Sequence, residues 1–276
     1  MERAHGITRS QIHVFLLIPS LAFLTLVLIG SVTVTLAISF NEVISKFVQI
    51  VTSRYFVSAY LTTIKIGFVV IAFTALLSYP LAIYGRFKSP KLKSFFDAIV
   101  FTPLMVNPLI RAFGWMIILG KEGLLNTLLL SLNIVSTPLR ILYTDVAVEL
   151  GLTELFLPFM YLSISSALEN IPEEYVMAAR SLGASSFRAF VDIVFPLSIT
   201  GFITGSAIVM TGCAAAFVTP SILGGLRVKT LSILLREYVD VVPDWVAATI
   251  IALMILATVL AIILGLNLVK RVIAKW

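Results

Sequence analysis

The sequence predicts an all-α membrane protein with six transmembrane helices, and three observations carry that reading. Hydrophobic residues fill 59% of the 276 positions, charged residues only 12%, and mean hydropathy is +1.07. A soluble domain carries about 25% charged residues to keep its surface wet, so half that share excludes a water-soluble enzyme. The apolar residues also fall in long runs. A crossing of the hydrocarbon core, about 30 Å thick, takes about 20 such residues, so the chain has room for about six crossings plus loops and little else.

The first run, Val14 to Asn41, contains no charge. It is far longer than the apolar core of a cleaved signal peptide, about 7–15 residues, and reads as a retained span. The second span runs Phe56–Tyr84, interrupted by Lys65, and the third Phe95–Leu119, interrupted by Arg111. The fourth, Val146–Leu168, holds Glu149 and Glu154 in its first half. The fifth lies within the uncharged stretch Ile193–Leu226, and the sixth is Trp245–Val269. Between spans three and four, the leucine spacing of Gly123–Val135 predicts a helix too short to cross, lying along the outer face or packed into the bundle.

Basic residues near span ends are retained on the cytoplasmic side, so their distribution sets orientation. With the N-terminus inside, eleven Lys and Arg fall on the cytoplasmic side and seven on the other; Arg86, Lys88, Lys91 and Lys93 form an acid-free cytoplasmic loop. Both termini are therefore predicted to be cytoplasmic. The net charge of +6 and pI near 9.5 follow from this topology; with no dense basic face, no nucleic-acid partner is expected. Cys213 has no second thiol for a disulfide or a cluster and reads as a small buried hydrophobe.

The stretch Glu169–Pro196 joins spans four and five. Asn170 is a candidate helix cap and Pro172 suits an early helical position, which predicts a helix over Glu173–Leu182. Gly183 is placed to end it in the left-handed conformation. Ser185 or Ser186 can start a second helix whose apolar face is Phe187, Phe190, Val191 and Val194, before Pro196. The expectation is two short helices at the membrane surface meeting at a glycine corner. Its bland alternative is an amphipathic loop that merely joins two spans.

The run Ala178-Ala179-Arg180-Ser181-Leu182-Gly183-Ala184-Ser185, followed by Phe190, Ile193 and Phe195-Pro196-Leu197, resembles the EAA loop of ABC-importer permease subunits. That family's pattern is Glu-Ala-Ala, three residues, Gly and, further on, Ile-x-Leu-Pro. Met177 stands at the family's glutamate position and Phe195 at its leucine; Glu173 and Glu174, one turn earlier, are the nearest carboxylates. Pro103 to Trp115, Leu125-Asn126, Thr137-Pro138, Leu157 to Met160 and Gly224-Gly225 extend the likeness, which resembles the first permease subunit of spermidine/putrescine-type transporters. Permeases for opines, amino-acid derivatives, ferric iron and phosphonates share much of the pattern.

The resemblance implies a MetI-like type I permease core formed by spans two to six, residues 54–276, preceded by an extra N-terminal unit, residues 1–53. It implies that loop 169–196 is a coupling helix docking in a groove of a cytoplasmic ATPase dimer. The residues carried over are Glu173, Glu174, Met177, Ala178, Ala179, Arg180, Gly183, Ala184, Ser185 and Phe187. Further implied partners are a second, related permease subunit, a periplasmic binding protein and the lipid of a bacterial inner membrane. ATP and Mg would bind the ATPase, with no cofactor in this chain and no reaction catalysed by it. The solute would be small and cationic, like a polyamine.

An ionisable group at mid-bilayer costs about 2.5–3.5 kcal/mol on insertion scales, so it faces the bundle interior or a wet path. Lys65, Arg111, Glu149 and Glu154, with Asn107 beside Pro108, are the candidate pathway residues. Lys65 is near enough to the interface to snorkel. Arg111 has two readings, pairing with a neighbouring carbonyl or acid and solute contact. The carboxylates suit a cationic solute by Coulomb attraction in a partly dry cavity, or they neutralise Arg111 or Lys65. Glu149 and Glu154 point apart on a helix, whereas Asp145 and Glu149 share a face. No phosphate loop, His-Glu-x-x-His or Gly-x-Ser-x-Gly pattern occurs, and no metal site is expected. An ATP-independent secondary transporter is the alternative class.

Overall fold

The computed structural model describes residues 17–23, 25–26, 30, 33, 44–87 and 90–273, and among these every long element is a helix. In chain order they are α1 (Arg54–Phe87), α2 (Pro90–Phe101), α3 (Pro108–Leu119), α4 (Leu124–Ser131), α5 (Asp145–Glu169), α6 (Glu173–Ser181), α7 (Ser186–Ala189), α8 (Phe195–Ala215), α9 (Leu231–Asp240) and α10 (Trp245–Ile273). Among the described residues, five stretches are long and apolar enough to cross a membrane: Arg54–Phe87, Pro108–Ser131, Asp145–Glu169, Ser186–Ala215 and Trp245–Leu268. The expected first span, Val14 to Asn41, lies largely outside the described residues.

Helices α1, α5 and α8 form the centre. The buried positions of α1, including Ala59, Thr63, Ile66, Val70, Thr74 and Ser78, recur every three or four residues and so define one face. Its two buried glycines, Gly67 and Gly85, and its alanines let neighbouring helices approach closely, which is how helices gain packing energy where lipid removes the hydrophobic drive. A Cβ on Gly67 would lie 2.3 Å from Met210 Sδ, and one on Gly201 would lie 2.5 Å from the Ser163 carbonyl. Cys213 is buried and unpaired there, as expected. Large apolar side chains such as Phe68, Leu76, Leu162 and Leu264 lie on the outside, an inside-out distribution suited to lipid or to neighbouring membrane helices.

The expected third span is broken. Instead of one helix over Phe95–Leu119, α2 ends at Phe101, a 3-10 turn covers Thr102–Met105, Val106 is extended, and α3 begins at Pro108. Pro103 and Pro108 supply no N–H to the ladder, and Pro108 pushes Asn107 out of the helical region. Asn107 caps α3 by accepting the Leu109 N–H at 2.8 Å. Helix α3 has only 12 residues, about 18 Å, and reaches crossing length only together with α4. The short helix expected in Gly123–Val135 is present as α4. Asn126 within it is buried: its amide donates to the carbonyls of Gly120 and Leu139, and its carbonyl accepts the Leu139 N–H.

Fully buried Leu231 and nearly buried Leu234 mark the inner face of the amphipathic helix α9, an element the sequence reading did not place. The uncharged stretch Ile193–Leu226 holds α8 and then a separate turn, Pro220–Gly224. At Gly225, φ is +54° and the Tyr143 ring covers the glycine, so a side chain there would be both strained and blocked.

Loops that the alternation of spans assigns to one side do meet. Arg86 pairs with Glu173, and Lys93 pairs with Glu169, at one end of the bundle. Lys46 pairs with Asp244 at 3.0 Å between two segments assigned to the other side.

Candidate functional site

The loop between α5 and α8 is built much as its residues dictate, with two corrections. Asn170 does not open α6; it closes α5, its backbone N–H bonding the Ala167 carbonyl and its side chain the Ser166 carbonyl. Pro172 takes the cap position of α6 instead, because its φ of −60° and ψ of 136° suit a chain turning into a helix. At the far end Gly183 adopts φ +87°. The Ala184 N–H reaches the Ala179 carbonyl at 3.0 Å and the Gly183 N–H the Arg180 carbonyl at 2.9 Å, a Schellman closure that satisfies two orphan carbonyls. A Cβ on Gly183 would touch nothing within 4 Å, so glycine is demanded by backbone conformation and not by space.

Ser185 caps the next turn, its hydroxyl accepting the Arg188 N–H at 3.2 Å. The second correction follows here. Rather than ending as a separate surface helix, α7 passes through a π-helical turn, Phe190–Val194, straight into α8. Pro196 lacks the donor that a regular ladder would need, and a widened turn accommodates that loss. Of the apolar face expected for this segment, Phe190 and Val194 turn inward, whereas Phe187 is 77% exposed and Val191 is exposed as well.

The outer surface of the corner is consequently small or apolar. Ala178, Ala179 and Ala184 leave backbone accessible, and Tyr175, Met177, Leu182 and Phe187 project from it, Leu182 with 89% of its surface exposed. Glu174 and Arg180 are exposed, and Arg180 reaches across the corner to the Ser186 hydroxyl at 3.4 Å. Glu173 is turned the other way, toward Arg86 of α1 at 3.0 Å. Such a surface, apolar knobs around approachable backbone, suits a protein partner that closes over it.

The candidate pathway residues do not form one constellation. Arg111 and Glu154 face each other, Nε to Oε2 at 3.2 Å, with the arginine side chain only 10% exposed. Arg111 Nη1 also donates to the Pro103 carbonyl at 2.9 Å, one of the acceptors released by the broken third segment. Arg111 is thus paired with both an acid and a carbonyl, and Asn107 caps α3. Lys65 pairs with Asp145 at 2.7 Å, and Glu149 lies one turn along the same face, within Coulomb range of that ammonium. Glu149 keeps a buried oxygen, Oε1, that meets no hydrogen-bond donor. Glu154 Oε2 is likewise buried, with Arg111 Nε at 3.2 Å.

Two groups at the opposite end make contacts that no local pattern announces. Arg86, whose charge helps to set orientation, reaches into the loop. Tyr161 donates to Asp97 at 2.6 Å and fixes α2 to α5. The signal for Arg86 was available only as an unassigned charge at a helix end, since its partners lie more than eighty residues away.

Comparison with known proteins gives these features a family. Residues 75–274 match the model for the binding-protein-dependent transport system inner membrane component. The spermidine/putrescine transport system permease protein PotB of Haemophilus influenzae is 35% identical over 170 residues, 62% of this chain and 59% of that protein. PotB of Escherichia coli K12 is 34% identical over 65% of this chain and 66% of its own length. The chain thus spans somewhat under two thirds of the length of these relatives. A putative 2-aminoethylphosphonate transport system permease protein, PhnU of Salmonella typhimurium, is 26% identical over 76% of this chain and 74% of its own. In fold, the chain matches a bacterial ABC transporter involved in import of the acidic polysaccharide alginate, with TM-score 0.77, 17% identity and 96% coverage of both chains. The MetNI methionine ABC transporter in inward-facing conformations matches with TM-score 0.60 and 18% identity over 79% of this chain and 96% of that one. The family match covers most of the chain and takes in the glycine corner, and on that ground the chain belongs to the inner membrane components of binding-protein-dependent transport systems.

Proposed function

We propose that this chain is one of two related permease subunits of an ATP-driven importer in a bacterial inner membrane. It has six spans, Val14 to Asn41 being the first, and both termini are cytoplasmic; residues 1–53 flank a permease core, residues 54–276. An external binding protein delivers the solute, and an ATPase dimer on the cytoplasmic side holds the ATP and Mg. This chain carries no reaction. The observation that supports the coupling role is the exposed corner around Gly183, where approachable backbone is ringed by Met177, Leu182 and Phe187. ATP-driven closure of the ATPases pulls on that corner and rocks the bundle between two packed states, each favoured by a different ligand state of its partners.

The solute is a small cation of the polyamine type. The PotB relatives support this class. So does the charge balance at the start of α5, where Asp145 and Glu149 face Lys65 alone and leave one carboxylate in excess. The test is uptake into proteoliposomes holding this chain with its ATPase, second permease and binding protein. Putrescine or spermidine uptake that needs ATP and survives a proton ionophore is the expected result. Uptake that collapses with the ionophore and ignores ATP would sink the importer reading. Uptake of 2-aminoethylphosphonate in place of polyamines would overturn the solute class alone.

A further inference from the structure

The coupling loop is tied to one helix at both of its ends. At its entry, the Arg86 guanidinium donates to three acceptors: Glu173 Oε1 at 3.0 Å, and the carbonyls of Leu168 and Ile171 at 3.4 Å each. Leu168 lies in the last turn of α5, where carbonyls lack intrahelical donors and the helix dipole favours a cation. Glu173 is the first residue of α6. One planar, five-donor group thus holds the end of α5 and the start of α6 together, a task that a lysine's compact ammonium cannot reproduce.

At the exit of the loop, the Tyr79 ring packs against Phe190 and Phe195, with centroids 5.5 and 5.8 Å away, and its hydroxyl meets the Ser198 hydroxyl at 3.2 Å. Tyr79 and Arg86 are seven residues apart, two turns of α1, and so share one face of that helix. Both anchors therefore belong to the last turns of α1, the helix whose opposite half carries Lys65.

We propose that Arg86, through Glu173, is the positioning residue that makes the coupling loop and α1 move as one body. The inference rests on the coupling role proposed above. It also changes the reading of Met177 at the family's glutamate position: of the two carboxylates one turn upstream, Glu173 is directed toward Arg86 to hold the loop, and the exposed Glu174 remains on the partner side. An ATPase that displaces α6 then displaces α1 without slack. Loosening the clamp lets the loop follow the ATPase while the bundle lags, so ATP is spent with little transport.

The experiment compares solute uptake with ATP hydrolysis in the reconstituted complex, putrescine being the probe, after co-purification shows the complex assembled. Arg86→Ala is expected to lower uptake per ATP hydrolysed by about tenfold, since it removes one charge-assisted bond and two further donors. Arg86→Lys is expected to recover only part of that loss. Glu173→Gln keeps the two carbonyl bonds and is expected to lower the ratio by a few-fold; it also serves if Arg86→Ala does not assemble. The effects of Arg86→Ala and Glu173→Gln are expected to be less than additive in the double variant. A wild-type ratio in Arg86→Ala, or in Glu173→Gln where that stands in for it, overturns the clamp. Gly183→Asp separates the two levels: if it uncouples and the clamp variants do not, only the clamp fails, and if it too leaves the ratio unchanged, the coupling role itself is wrong.

Discussion

The two ends of α5 use charge in opposite ways. In its first half, Asp145, Glu149 and Glu154 project within an apolar segment and meet Lys65 of α1 and Arg111 of α3. At its other end, Lys93 and Arg86 meet Glu169, Glu173 and two backbone carbonyls beside an exposed loop. In the first region, charges inside the membrane neutralise one another because each would otherwise lack a counter-charge in a poor solvent, and one buried oxygen, Glu149 Oε1, is left without a hydrogen-bond donor. In the second, charge fixes the position of a loop whose own surface stays apolar and open to a partner. Around one helix, then, ionic residues neutralise one another inside the bundle at one end and tie a loop to its neighbours at the other.

The comparison breaks first at Arg111. Arg111→Ala leaves Glu154 buried without its counter-ion and is expected to destabilise the assembled complex by about 3 kcal/mol, read as a lower unfolding midpoint in detergent. Replacing both partners by apolar residues is expected to recover more than half of that loss; an unchanged midpoint for Arg111→Ala would show that the pair is solvated. Next comes Gly183→Asp. A side chain in the left-handed conformation costs about 1–2 kcal/mol, and no atom blocks it, so insertion and assembly should persist while uptake is largely lost.

A smaller effect tests whether the first region meets the solute. Glu149→Gln removes the surplus negative charge and is expected to lower putrescine uptake by several-fold with assembly unchanged. An equal loss for a neutral solute carried by the same complex would place Glu149 in structure instead. The smallest effect lies at the start of α10, where Asp244 accepts the Ala247 N–H at 3.0 Å and pairs with Lys46. The Ala247 backbone N–H, aided by the Lys46 ammonium, holds this carboxyl below the usual carboxylate range. A value lower in the folded than in the unfolded chain stabilises fully above the unfolded value, about 3.9, and the benefit disappears as pH falls through the folded value. Asp244→Asn keeps a competent cap and loses only a partly exposed ion pair, about 0.5 kcal/mol near neutral pH, and its midpoint should respond less to acidification below the unfolded value.

Most spans were legible because each is a long apolar run, and Gly183 because a small-residue helix followed by glycine has few other endings. The third span was not. Its apolar run reads as one crossing, yet Pro103, Asn107 and Pro108 divide it, and the divided geometry is worthwhile only because Arg111 can collect the released Pro103 carbonyl and Glu154 of another helix. Helix α9 escaped because its short amphipathic pattern sits between charged residues and gains its meaning from the α1 and α10 faces it covers.

By itself the sequence determined what depends on neighbours along the chain: the membrane as solvent, the helices and the glycine corner, all set by hydrophobicity and backbone conformation within a few turns. Only the tertiary structure decided which charges meet. Arg86 and Glu173, or Arg111 and Glu154, are separated by dozens of residues, and an ion pair depends on distance in space, which packing of α1, α3 and α5 establishes and no local pattern encodes.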